Sequence, residues 1–179
     1  MNETPLSSLH RLVWAAMMAA LTAVGAYLTV PLGPVPVSLQ TLFVLLAGFT
    51  LGPAYGSAAI GLYLLAGIAG LPVFAGGKSG FAVLMGPTGG YLIGFAACAF
   101  VAGFSGRKSS WPRTLLFGLL GLAALYALGL LRLKAVLDAD WSKAMAVGLL
   151  PFLPGAAVKL ALAVAAHKFL QRAQLSPAK

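Results

Sequence analysis

The stretch GLPVFAGGKSGFAVLMGPTGGYLIG, Gly70 to Gly94, decides how this chain must fold. It carries eight glycines and two prolines, so it cannot run as one continuous helix. Yet Phe74, Phe81, Val83, Leu84 and Met85 make it too apolar for a solvated loop. Strongly apolar segments flank it on both sides. Irregular backbone at membrane depth is tolerated only where protein buries it or where it lines a cavity. The stretch therefore reads in one of two ways. Either it is a re-entrant or capping loop over a ligand site, or its glycines serve to let helices pack closely.

The rest of the composition identifies the solvent. Of 179 residues, 60% are hydrophobic and 8% are charged, with a mean hydropathy of +0.96. A soluble domain carries about 25% charged residues. The chain is thus expected to be an all-α integral membrane protein. A span needs about 20 residues, so the length admits roughly six transmembrane helices and short loops in one domain. The net charge of +9 arises from only three acids against twelve bases. The bases are scattered at segment ends, which is a topology signal and not a nucleic-acid footprint. The single cysteine, Cys98, permits neither an internal disulfide nor a cysteine metal site, and reads as a small packing residue. The first apolar run has no clear cleavage site and is expected to remain as a helix.

Hydropathy and breaker residues place helices at about 11–30, 39–51, 57–69, 89–104, 114–131 and 147–171. The first holds a strip of small residues: Ala15, Ala16, Ala19 and Ala20 at small-xxx-small spacing. Such a strip either packs inside the protein or docks a partner in the membrane. Between the first two helices, Pro31, Pro34 and Pro36 force an extended or turned segment. Ser38 or Thr41 is expected to cap the second helix. Gln40, an amide at the edge of hydrocarbon, is either a satisfied structural group or a ligand contact. LGPAYG, Leu51 to Gly56, reads as a tight turn. SGRKSSWPR, Ser105 to Arg113, and RLKAVLDADWSK, Arg132 to Lys143, read as aqueous loops. Pro151 and Pro154 are expected to break the last helix near its outer end.

With the N-terminus in the cytoplasm and six crossings, Arg11, Arg107, Lys108, Arg113, Lys168, Arg172 and Lys179 fall inside. Lys78, Arg132, Lys134 and Lys143 fall outside, which favours cytoplasmic N- and C-termini. All three irregular segments, at about 31–41, 70–89 and 151–155, then share the outer side, as capping loops around one site.

Lys159, in PFLPGAAVKLALA, is the most informative single residue. It lies one and a half turns past Pro154, and a lysine toward mid-membrane costs about 2.5–3.5 kcal/mol. None of the three acids, Glu3, Asp138 and Asp140, lies in an expected span. Lys159 either snorkels to the surface or awaits an anionic or strongly hydrogen-bonding ligand. GGKS, Gly76 to Ser79, is not a phosphate-binding loop, because Pro72 stands where GxxxxGK[ST] needs its first glycine. No enzyme motif and no intramembrane carboxylate pair is present, and His10 and His167 read as interfacial. The chain is expected to bind something without supplying an energy source, and to need no metal and no cofactor.

The runs GPVPVSLQTLFVLLAG (Gly33 to Gly48), LGPAYG, GLPVFAGG (Gly70 to Gly77) and GPTGGYLIGF (Gly86 to Phe95) resemble the BioY family. These are biotin-specific substrate-binding (S) components of energy-coupling factor transporters. The resemblance spans about residues 12–169. It implies a six-helix S-component fold in the cell membrane that takes up biotin from outside with high affinity. It also implies that Ala15, Ala16, Ala19 and Ala20 dock a transmembrane coupling protein driven by two ATPases. The family pattern PGDxxK is similar to PGAAVK here, with Lys159 matching and Ala156 in place of the aspartate. The ureido N–H groups of biotin then need another acceptor: Gln40, Thr41, a carbonyl of Gly76 or Gly77, or water. Phe74, Phe81, Tyr91 or Phe152 would pack on the thiophane ring and valeryl chain. An S component for another vitamin or a biotin precursor, and a ligand-free structural membrane subunit, are the alternatives.

Overall fold

The computed structural model describes residues 5–31, 33–106 and 108–174. Arg107, Lys179 and Glu3, which entered the charge argument, lie outside the described residues. The first helix, α1, runs Pro5–Tyr27, starting earlier than expected. The proline-rich segment after it folds into a small antiparallel hairpin. β1, Thr29–Val30, pairs with β2, Val37–Ser38, with Thr29 opposite Ser38 and Val30 opposite Val37. Fixed proline φ angles favour extended backbone here, and the ladder needs only the N–H groups of the non-proline residues.

α2 spans Gln40–Ile68 but is not straight: Gly52 has φ 80° and ψ −179°. Glycine adopts that conformation without a Cβ penalty, and Pro53 then starts a new helical run. The chain turns back on itself there. A Cβ on Gly56 would lie 2.9 Å from the Cα of Gly48. Residues eight apart on a straight helix would be about 12 Å apart. The two arms, 40–51 and 53–68, are therefore neighbours. The expected cap at the start of α2 is absent: Leu39 occupies the N-cap without a side-chain bond, and the Ser38 hydroxyl donates to Gln40 Oε1 at 2.8 Å.

A short helix, α3 (Phe81–Met85), precedes α4 (Gly89–Gly103). α5 covers Trp111–Leu137 and α6 Trp141–Gly148. A 3-10 turn at Leu150–Phe152 leads into α7, Leu153–Arg172. The expected aqueous loop at 132–143 shrinks to the link 138–140, because α5 continues through Arg132 and Lys134. Leu130 and Leu133 are buried on its inner face, so the apolar period outlasts the first charges. The charges are accommodated individually. Arg132 Nη2 donates to the Met85 carbonyl, and Lys134 lies 5.5 Å from the Trp141 ring centre. Asp138, in the left-handed region at φ 46°, ends the helix.

Among the described residues, four segments are long and apolar enough to cross a membrane: Leu9–Tyr27, Gln40–Ile68, Trp111–Leu137 and Trp141–Arg172. α4 is a shorter apolar helix. With the arms of α2 counted separately, six membrane helices result, in the all-α membrane architecture the sequence implied. α4 sits in the middle, against α2 on one side and α5 on the other; α1 and α7 pack on α2. Glycine makes the central contacts possible. A Cβ on Gly90 would come within 2.4 Å of the Leu128 carbonyl oxygen, and one on Gly94 within 2.9 Å of that of Leu125. The two readings of the 70–94 stretch thus divide it. Gly76 and Gly77, at φ 73° and 71°, turn the loop, whereas Gly90 and Gly94 let helices touch.

On α1 the alanine strip splits. Ala15 and Ala19 are buried together with Met18 and Thr22, while Ala16 and Ala20 are exposed. Ala15 and Ala19, expected to share the docking role, are already used inside the protein.

Candidate functional site

The three irregular segments line one cavity. The hairpin contributes Val35, Pro36 and Ser38, the loop after α2 contributes Phe74, Ala75 and Lys78, and the turn before α7 contributes Phe152. The floor and walls come from α2, α4, α5 and α7. The space between these residues, including solvent at the open mouth, is about 630 Å³.

One side is polar. Lys159 is only 6% exposed, and its Nζ donates to the Ser38 carbonyl oxygen at 2.9 Å. The surface-snorkelling alternative for Lys159 is therefore not what the fold adopts. Its stem lies beside the turn, with Cε 3.8 Å from the place a Cβ would take on Gly155. An ammonium has three donors, so this contact leaves capacity for a ligand. Ala156, in the position of the family aspartate, is buried on the same face of α7. The cation meets a backbone carbonyl of the hairpin, and no acid stands beside it among the residues that line the cavity.

Gln40 is fully inside and held at both ends. It accepts from Ser38 and donates through Nε2 to the Tyr63 hydroxyl at 2.6 Å. Both groups retain unused hydrogen-bonding capacity: one amide N–H and one lone pair of Oε1. The structural and ligand-binding readings of Gln40 are thus compatible. Thr41, buried one residue on, also lines the cavity.

Three more of the lining residues form an aromatic cluster. Tyr91 and Phe152 stack with centroids 6.0 Å apart, and Tyr126 meets both, at 6.5 and 6.2 Å. Tyr91 is anchored through its hydroxyl, which donates to the Gly148 carbonyl at 2.8 Å. Tyr91→Phe should keep the stacking but orphan that carbonyl. A loss of about 1 kcal/mol is expected, seen as a lower unfolding temperature in detergent. An unchanged midpoint would mean that the bond contributes nothing. Phe74 is seated in the notch left by Gly67, where a Cβ would meet its ring at 2.2 Å, and it abuts Tyr63 edge-on at 5.6 Å.

Of the residues singled out from sequence, Lys159, Gln40, Thr41, Phe74, Tyr91 and Phe152 all line this cavity. Gly76 and Gly77 do not. They form the tight turn below Phe74, with Gly77 N–H donating to the Phe74 carbonyl and Phe74 N–H to that of Lys78, both at 3.0 Å. Phe81 is 59% exposed on α3 and takes no part. Sequence reasoning overlooked Tyr126, Phe95 and Lys78, all of which line the cavity. Tyr126 carried a signal: a hydroxyl in the middle of an apolar span needs a partner or a wet cavity.

The other end of α7 holds a separate polar knot. His167, expected at the interface, is completely buried. Its ring lies 5.6 Å from Phe49, and its Nε2 pairs with the Gln171 amide at 2.7 Å. Lys168 donates to the Ser109 carbonyl and to Gln171 Oε1, tying α7 to the segment before α5.

Comparison with known proteins brings the same fold and relatives of one kind. The profile described as the BioY family matches residues 1–175. The "Biotin transporter BioY" of Thermotoga maritima is 45% identical over 156 residues, covering 87% of this chain and 92% of the relative. The "Probable biotin transporter BioY" of Pyrococcus horikoshii is 42% identical, covering 87% and 93%. Among solved structures, the S-component for biotin from an ECF-type ABC transporter superposes with a TM-score of 0.89. It is 29% identical and is covered over 99% of this chain and 100% of its own.

Proposed function

The chain belongs to the BioY family, and from that premise we propose its function: it is the substrate-binding component for biotin uptake across a membrane. It is a transporter subunit and not an enzyme. The observation that carries the reading is the cavity itself. Apolar and aromatic side chains share the lining with a buried cation and amide, and no carboxylate is among the lining residues. Biotin has the complementary parts: an apolar ring and chain, a neutral ureido head and an anionic tail. Few polar groups set in an apolar lining suffice to orient such a ligand. Equilibrium binding of labelled biotin to the purified protein tests this. Saturable binding, competed by unlabelled biotin, is the expected result; its absence would leave the chain a structural membrane subunit or a carrier of another vitamin.

Energy must come from elsewhere, since no span carries a carboxylate relay. A transmembrane coupling protein with two ATPase subunits fits that need. The cavity then opens to the outside, as capped by the three irregular segments, and both termini face the cytoplasm. The exposed pair Ala16 and Ala20 offers the low-relief strip on which another membrane helix can approach closely. Replacing both with leucine should abolish coupled uptake while leaving biotin binding by the isolated protein within about twofold, since neither side chain is buried. Intact uptake by that double variant would remove helix α1 from the docking role.

A further inference from the structure

Lys78 in GGKS belongs to no phosphate loop and stands just past the GLPVFAGG run that carries the family resemblance, yet it lines the cavity. Two lining residues are charged, Lys78 and Lys159, and both are cations. They differ in solvation. Lys159 is buried and bonded to the Ser38 carbonyl, in the company of Gln40 and Thr41. Lys78 is the only exposed residue of the lining, and its ammonium has no side-chain partner among the described residues. Its backbone is fixed all the same. The Phe74–Lys78 bridge closes the turn, and Phe74 is locked into the Gly67 notch. Lys78 is therefore a solvent-exposed cation on a hydrogen-bonded turn at the cavity mouth.

Resting on the biotin reading, we infer that Lys78 selects for a free carboxylate on the ligand. It holds the anionic tail at the mouth and leaves Lys159 and Gln40 to the neutral ureido head. Desolvation decides between the two cations. A carboxylate taken to Lys78 keeps water on its outer side, whereas one taken to Lys159 loses its hydration. The ureido oxygen and N–H groups, being neutral, enter the buried end at lower cost. There the spare donors of Lys159 and the spare amide positions of Gln40 match them.

The test compares two ligands on two proteins: biotin and biotinamide, which lacks the charge, with the wild type and Lys78→Gln. The variant should fold normally, since Lys78 is exposed and its side chain bonds nothing in the described chain. Biotin affinity should fall about fivefold, as for a solvated ion pair, and less so in high salt. Biotinamide affinity should stay within about twofold, and the wild type should prefer biotin to the amide by a similar factor. An equal loss for both ligands, or none for biotin, would overturn the assignment of Lys78 alone. Failure of the wild type to bind either ligand would overturn the functional reading, and this inference with it.

Discussion

Lys159→Ala should weaken biotin binding by about tenfold to a hundredfold, the range for losing a charged hydrogen-bond partner in a buried site. The residue supplies the buried one of the two cations that line the cavity, and its Nζ also ties α7 to the hairpin through the Ser38 carbonyl. Two losses are therefore combined: a ligand contact and a tether across 121 residues of sequence. Lys159→Met separates the ammonium from its stem, because it retains most of the aliphatic length that packs beside Gly155. If the ammonium is what matters, both variants lose affinity alike. Dissociation constants from labelled biotin provide the measure, and an alanine variant with wild-type affinity would remove Lys159 from the site. The folded state should tolerate either change: the Ser38 tether is lost, but so is the desolvation cost of a buried cation that has no acid partner among the described residues.

Gly90→Val should have the largest effect on the fold. The Cβ would fall 2.4 Å from the Leu128 carbonyl oxygen, 2.5 Å from the Arg132 Cβ and 3.1 Å from the Gly129 Cα. Two of those three atoms are backbone, so α4 and α5 must separate before the side chain fits. Overpacking usually costs about 1–3 kcal/mol, and this contact belongs at the upper end because helices and not side chains must move. A clear drop in unfolding temperature, or loss of folded protein on extraction, is expected. Gly61→Ala is the internal control, because nothing lies within 4 Å of a Cβ there. It should be neutral or stabilising by up to about 1 kcal/mol through helix propensity alone. Equal stability of the Gly90 and Gly61 variants would show that the close approach of α4 to α5 is not needed. Binding should fall with Gly90→Val as well, since the next residue, Tyr91, carries the stacked wall of the cavity.

The sequence by itself determined the solvent and the class of fold. Apolar runs long enough to span, in a chain with three acids, point to bundled helices in lipid: every backbone group must be satisfied within the chain, and barrel strands would alternate polar and apolar residues. It also located the irregular segments, since proline and glycine restrict or free the backbone locally, whatever surrounds them. Lys159 was legible for a related reason: a charge in an apolar run is costly wherever the run ends up. What sequence could not set was direction and partnership. The strip at Ala15, Ala16, Ala19 and Ala20 is uniform in sequence, yet the fold buries two members and exposes two. α5 ran past the charges taken as its end, because long basic side chains find a carbonyl or an aromatic face without unwinding the helix. Tyr126 and Lys78 entered the cavity lining, and Phe81 left it, through the way distant segments meet. Those outcomes depend on which surfaces pack together, an energy shared among residues far apart in the chain, and only the tertiary structure decides it.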